Sequence, residues 1–198
     1  MGRRPLAVAI TGGIAAGKSE ALAAFARRGA AVSSADEVVH RVYREDESLK
    51  SELRARWGEA VFAADGEVDR AAVAAIVFAD RSELSWLEGV LHPRVRRMHE
   101  QWLDEVTARS DIPVLAVVEI PLLYETGGDA AYDKVVALTA ARSVREERRG
   151  GVFADREARL IPDEEKLQRA DFAYVNDGSL AELDAFVDSV VKELTSSL

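Results

Sequence analysis

Leu6-Ala-Val-Ala-Ile-Thr-Gly-Gly-Ile-Ala-Ala-Gly-Lys-Ser19 is the stretch on which the reading of this chain turns. In its first half Leu6, Val8 and Ile10 alternate with Ala7 and Ala9, so both faces of a strand over about 6–11 suit burial in a parallel sheet. Its second half, Gly12-x-x-x-x-Gly17-Lys18-Ser19, has the spacing of a phosphate-binding loop. Glycines let the backbone curl until successive N–H groups point at an anion. Lys18 adds a point charge near the β- and γ-phosphates, and the Ser19 hydroxyl suits Mg²⁺. A helix beginning at about Lys18 turns its positive end toward the same anion, and its stripe of Leu22, Phe25 and Ala26 ends at Arg27-Arg28-Gly29. Gly12, Gly13, Ile14, Ala15, Ala16, Gly17, Lys18 and Ser19 are therefore candidate ATP contacts, with Mg²⁺ as the accompanying metal. A glycine-rich strand–helix turn without a ligand is the alternative, and the flanking strand and helix weigh against it.

Working outward, the pattern alternates strand and helix and predicts an α/β chain with a parallel sheet. Further strands are expected at about Ala30–Ser33, Val114–Glu119, Lys134–Thr139 and Phe172–Val175, with helices at Ala35–Tyr43 and through Leu180, Leu183, Val187, Val190 and Leu194. Residues 46–108 break the alternation with helical spacings, including Val73, Ile76 and Val77, then Leu84, Leu87 and Leu91, then Val95, Met98 and Trp102. Pro93 is expected to stop one helix and open the next. Trp57, Trp86 and Trp102 read as packing residues of this region, with stacking on an acceptor base as the alternative. The expected organisation is a nucleotide-binding core over 1–45 and 111–198, with a lid at about 141–165, and a helical acceptor subdomain over 46–110.

Composition narrows the classes. The 198 residues are 48% hydrophobic, enough for a sizeable core. The chain has no cysteine, which excludes disulfides, thiolate metal sites and cysteine nucleophiles. No apolar run approaches the roughly 20 residues that span a bilayer. Met-Gly-Arg-Arg-Pro leads directly into the first strand without a secretory apolar segment, so a cytoplasmic protein with no membrane partner is expected. A net charge of −9 argues against a nucleic-acid partner. Positive charge is nevertheless clustered at Arg142, Arg145, Arg148 and Arg149. The segment Arg142–Arg159 reads either as a solvated helix, since Glu146 and Glu147 interleave with the arginines, or as a lid that places Arg145 or Arg148 on a transferring phosphoryl group with Gly150-Gly151 as its joint.

Two acids stand where a ligand would be met, at the carboxyl ends of strands. Asp36 follows the second strand and suits a general base for an attacking hydroxyl; a first-turn acid behind a Ser34-x-x-Glu37 capping box is the alternative. Glu119 ends the third strand, where an acid holding Mg²⁺ through water would sit; an ordinary strand-end acid is the alternative. His92 has no partner at metal-site spacing and reads as a capping or core-edge residue unless it serves an acceptor.

Several separate stretches then agree. Thr11-Gly12-Gly13-Ile14, Ala35-Asp36 with His40, Asp69-Arg70, Leu91-His92-Pro93-x-Val95, Pro121-Leu122-Leu123-Tyr124-Glu125 and Ala170-Asp171-x-x-x-x-Asn176-x-Gly178 occur in this order, and together they resemble the dephospho-coenzyme A kinase family over about residues 6–190. The resemblance implies a three-layer core with a five-stranded parallel sheet, a helical acceptor-binding part and a lid. It implies transfer of a phosphoryl group from ATP to the ribose 3′-hydroxyl of dephospho-CoA in the last step of coenzyme A synthesis. On it, Asp36 is the general base, His92, Pro121, Leu122, Leu123 and Glu125 line or support the acceptor side, and Asn176 and Gly178 approach the adenine of ATP. A monomer or weak homo-oligomer is expected. A kinase for another small nucleotide-like acceptor and a non-catalytic ATP-binding switch are the alternatives. Four positions depart from the family's usual pattern: Ala15 and Ala16 replace Gly and Ser, Ser34 replaces an Asp, and Leu160 stands where a lid glutamine is expected. Ala15 is expected at negative φ, since left-handed alanine costs about 1 kcal/mol.

Overall fold

The computed structural model describes residues 4–149 and 160–196, with Arg149 described by its backbone alone. Gly150-Gly151 and the rest of the expected lid through Arg159 lie outside the described residues. Five strands, β1 (Leu6–Gly12), β2 (Ala31–Ser34), β3 (Leu115–Glu119), β4 (Lys134–Thr139) and β5 (Phe172–Val175), form one parallel sheet in the order β2-β3-β1-β4-β5. β1 is the middle strand, flanked by β3 and β4, so the order reverses around it; in open α/β sheets this is where ligands bind. The register places the chemistry on one edge: Ser34 pairs with Glu119, Glu119 with Ile10, and Gly12 with Leu138.

The alternation in β1 separates two faces. Val8 and Ile10 join Val117, Val136 and Leu138 under α1 (Lys18–Arg27) and the C-terminal helix (Leu180–Ser196), whose Phe25, Leu183, Val187 and Val190 are fully covered. Ala9 faces the other way, toward Leu123, Tyr124 and Val135, with Ile161 and Ala170 packed beside them. At about 25 cal/mol per Å² of apolar surface removed from water, these two covered faces supply the main driving force for this part of the fold. Arg27 and Arg28 at the end of α1 hold the Asp184 carboxyl far below its usual range and tie that helix to the C-terminal one, with Arg28 Nη2 2.6 Å from Asp184 Oδ2. The C-terminal helix begins in a capping box the sequence reading passed over: Ser179 N donates to Glu182 Oε2 at 2.7 Å, and Glu182 N donates to Ser179 Oγ at 3.3 Å.

By contacts the chain divides into two compact units, residues 1–34 with 102–198, and residues 35–101. The expected boundaries at 45/46 and 110/111 therefore move earlier. The reason lies in α2 (Ala35–Glu45), whose Val38, Val42 and Tyr43 pack with Leu49, Leu53, Val73, Val77, Leu87 and Leu91 rather than with the sheet. This second unit is built from α2, α3 (Glu47–Trp57), α4 (Arg70–Ala79) and the larger part of α5 (Arg81–Thr107). Asp46 caps α3 by accepting from Leu49 N, and Asp69 caps α4 by accepting from Ala71 N and Ala72 N. Trp57 and Trp86 meet edge to face at 5.0 Å, and Trp57 Nε1 donates to Glu83 at 2.8 Å, so both serve packing. Trp102 falls in the other unit and is half-buried.

Pro93 does not end a helix. α5 runs unbroken from Arg81 to Thr107 with Pro93 inside it. The apolar stripe explains why: Leu84, Leu87 and Leu91 before the proline and Val95 and Met98 after it join the same core cluster, and this shared burial outweighs the roughly 3 kcal/mol cost of an interior proline.

His99, further along α5, is 4% exposed, and its Nε2 has no hydrogen-bond partner among the described residues. Burial pulls its pKa down to about 4 from an ordinary value of 6.5. As acid is added the unfolded chain therefore takes up this proton first. The stability His99 confers is complete above about pH 6.5 and is lost as pH falls toward about 4. His99→Leu is expected to flatten the acid side of the stability curve. Relative to wild type, its unfolding free energy should gain up to about 1.4 kcal/mol for each pH unit lost within that window. Denaturant unfolding at several pH values checks this, and parallel curves for the two proteins would contradict it.

Candidate active site

The turn after β1 is built for close backbone approach. Gly12 has φ 136°, and a Cβ on it would come within 1.8 Å of Leu138 O on the neighbouring strand. Gly17 has φ 93°, and a Cβ there would lie 2.3 Å from Asn176 Nδ2. Between them Ala15 has φ 58°, which corrects the expectation of negative φ. A loop whose N–H groups converge on an anion must alternate in hand, and at this position the chain carries alanine in the left-handed region at a cost of about 1 kcal/mol. Ala15→Val is expected to lower the melting temperature, because a β-branched residue tolerates that region least, while Ala15→Gly keeps or raises it. Equal melting temperatures for the two variants would contradict this strain.

Lys18 opens α1 and is 8% exposed; its Nζ donates to Gly13 O at 2.7 Å, so the side chain folds back across the loop. Ser19 Oγ lies 3.4 Å from Glu119 Oε1, which brings the two candidate metal residues together between the first turn of α1 and the end of β3. Glu119 itself is 6% exposed. Thr11 Oγ1 donates to Pro121 O at 3.4 Å, linking the loop's base to the turn after β3. Among the described residues no three His, Asp or Glu side chains are grouped to hold a metal ion. That donor set fits Mg²⁺ on a phosphate chain, since Mg²⁺ keeps most of its water and takes one or two protein ligands.

The far side of the loop is supplied by β4, β5 and two short helices, α6 (Arg142–Arg149) and α7 (Asp163–Arg169). Arg145 lies 3.7 Å from Asp163 Oδ2 and within 3.2 Å of where a Gly13 Cβ would be, so it stands at the loop. Arg148 donates to Asn176 O at 2.9 Å and lies 3.5 Å from Ala15 O, bracing the loop's outer rim. Asn176 is 3% exposed and donates from Nδ2 to Ala16 O at 3.0 Å. Its amide nitrogen is thus engaged in holding the loop, and a Cβ on Gly178 would meet the Glu182 carboxylate at 2.2 Å.

On the acceptor side Leu123 is fully buried, so it supports a surface and does not line one. Pro121 and Leu122 are half-buried. Glu125 Oε1 lies 2.7 Å from Lys166 Nζ and accepts from Ile161 N at 3.1 Å. Lys166, buried to 1% exposure, also lies 3.5 Å from Pro121 O. Asp36 is an exposed residue of the first turn of α2, two positions beyond Ser34, and His92 is half-buried in α5. Sequence reasoning missed Thr139, Asp163 and Lys166. The spacing Pro162-x-x-x-Lys166 before Ala170-Asp171 offers no chemistry until the sheet places it.

One cavity of about 330 Å³, lined by Arg4, Ala7, Leu103, Thr107, Ala130 and Asp133, lies at the amino ends of β1 and β4. The carboxyl edge, with its glycine turn, cations and acids, is where a parallel sheet binds ligands, and it is the candidate site.

A parallel β2-β3-β1-β4-β5 sheet with such a loop at its switch point defines a P-loop kinase-like α/β protein. The sequence profile of the dephospho-CoA kinase family matches residues 6–182. A dephospho-CoA kinase of Rhodopseudomonas palustris strain BisB18 is 39% identical over 189 residues, covering 92% of each chain. Another from Thermus thermophilus is 35% identical over 200 residues, covering 98% of this chain and 94% of that one. Among solved structures, TT1252 from Thermus thermophilus superposes with a TM-score of 0.78 at 34% identity, covering 97% of this chain and 99% of that one. The dephospho-CoA kinase from Campylobacter jejuni, 24% identical, shares the fold with a TM-score of 0.73, covering 96% of this chain and 98% of that one. The chain belongs to the dephospho-CoA kinase family, ATP-dependent phosphotransferases of the final step of coenzyme A biosynthesis. Among the described residues no helix is long and apolar enough to cross a membrane.

Proposed function

We propose that this chain moves the γ-phosphoryl group of ATP to the ribose 3′-hydroxyl of dephospho-CoA by in-line displacement. Lys18 and the amides of Gly13 to Ser19 hold the β- and γ-phosphates. Asp36 accepts the hydroxyl proton as the new O–P bond forms and the bond to the β-phosphate oxygen breaks, releasing ADP. Arg145 stands at the loop and neutralises charge on the group in flight, while Arg148 braces the loop. Ser19, with Glu119 acting through water, would hold Mg²⁺, which when bound offsets phosphate charge. Pro121 and Leu122, backed by Leu123 and Glu125, serve the acceptor from the nucleotide-binding unit, and His92 is assigned to the acceptor within the helical unit.

The observation that carries this reading is the loop itself, with a buried lysine, a serine beside a strand-end acid and an arginine converging on one glycine-rich turn. A coupled assay for ADP release over a panel of alcohol acceptors tests it. Dephospho-CoA is expected to dominate the panel. ATP binding without acceptor-dependent ADP release would contradict it, as would a clear preference for another nucleotide.

A further inference from the structure

Asp163 presents a puzzle. A carboxylate beside a polyphosphate loop repels the ligand the loop is meant to hold, yet this one is firmly seated there. Its Oδ2 accepts from Thr139 Oγ1 at 2.6 Å and lies 3.7 Å from an Arg145 guanidinium nitrogen. It also rests directly on Gly13: a Cβ at that glycine would come within 2.6 Å of Asp163 Oδ2. Gly13 has no positive φ to explain its presence, unlike Gly12 and Gly17. The space it leaves is filled by the carboxylate.

Thr139 is the last residue of β4 and belongs to the rigid sheet. Arg145 is on α6, a charged eight-residue helix. A long side chain on such a helix samples many rotamers, and a cation that must meet the transferring group loses rate when its position is spread. We propose that Asp163, braced by Thr139 and admitted by the bare Gly13, is a positioning residue that holds Arg145 at the phosphate loop for the transfer step. The inference rests on the kinase reading above and on Arg145 as its phosphoryl cation. It assigns Asp163 no contact with substrate. The carboxylate weakens ground-state binding of ATP somewhat and returns this in the transition state, when the guanidinium is already in place.

The test is a double-mutant cycle on steady-state kinetics, with melting temperatures measured in parallel. Asp163→Asn is expected to lower kcat about 10–100-fold, the scale of losing orientation rather than the group itself. KM for ATP should hold or fall, because a negative charge has left the loop. Arg145→Ala is expected to lower kcat about 10²–10³-fold, and Asp163→Asn in that background to lower it no further. Thr139→Val should follow Asp163→Asn, and Thr139→Ser should restore most of the rate; this pair decides the matter even if the Asp163 variant folds poorly. Losses that multiply in the double variant, or a wild-type kcat in Asp163→Asn, would overturn the positioning role while leaving the kinase reading intact. A wild-type protein that forms no ADP with dephospho-CoA would overturn the kinase reading instead.

Discussion

Lys18→Ala is expected to lower kcat/KM for ATP by on the order of 10³-fold or more, with the fold retained. Lys18 is 8% exposed and its ammonium lies 2.7 Å from Gly13 O, so it is already held over the turn before any nucleotide arrives. Removing it takes away the cation seated within the turn itself, and Arg145 at the loop's far side does not reach the place it leaves beside Gly13 O. The bond to Gly13 O that is lost with it is worth about 1 kcal/mol, small beside the loss in rate. Lys18→Arg is not expected to rescue, because a planar fork cannot occupy the place of a compact ammonium. Coupled ADP release measures the rate and thermal unfolding confirms the fold. An alanine variant with wild-type kcat/KM would place the nucleotide elsewhere.

Asp36→Ala is expected to lower kcat by roughly 10²–10⁴-fold while ATP still binds, the usual scale for losing a general base. Asp36→Asn should fall as far, because an amide keeps the shape and accepts no proton. Asp36 is exposed in the first turn of α2, so its removal should cost little stability beyond a few tenths of a kcal/mol of helix-end electrostatics. That separates the two readings of this residue. A base shows its loss in kcat, whereas a helix-end acid shows it only in unfolding. Unchanged kcat in both variants would leave Asp36 a helix-end acid.

The parts of the fold that were legible in the sequence are those fixed by local chemistry. The alternation in Leu6–Ile10 and the glycine spacing that follows it leave few alternatives, and the strands at Lys134–Thr139 and Phe172–Val175 match their expected limits. Misreadings came where distant packing overrides a local rule. Pro93 signals a break, but Leu91 and Val95 bury into one core across it. Ala15 signals ordinary backbone, but the loop requires a left-handed residue there. α2 looks like part of the nucleotide core by its place after β2, and only the burial of Val38 and Val42 with α3 to α5 assigns it to the helical unit. At the site, Lys18, Ser19 and Glu119 could be found because strand ends and loop spacing mark them. Asp163 and Lys166 could not, since a charged residue in Asp163-Glu-Glu-Lys-Leu looks solvated until the sheet brings Thr139 and Glu125 beside it. Asn176 was marked by its place after the fifth strand, but its tie to the loop, with Nδ2 donating to Ala16 O at 3% exposure, shows only once the sheet is assembled.

The most direct measurement is a structure with a non-hydrolysable ATP analogue, Mg²⁺ and dephospho-CoA bound together. The expected result is a triphosphate wrapped by Gly12 to Ser19, with an Asp36 carboxylate oxygen about 2.6–3.2 Å from the ribose 3′-oxygen. A triphosphate bound in another crevice, or a 3′-hydroxyl that approaches some other base, would contradict the assignment of this site.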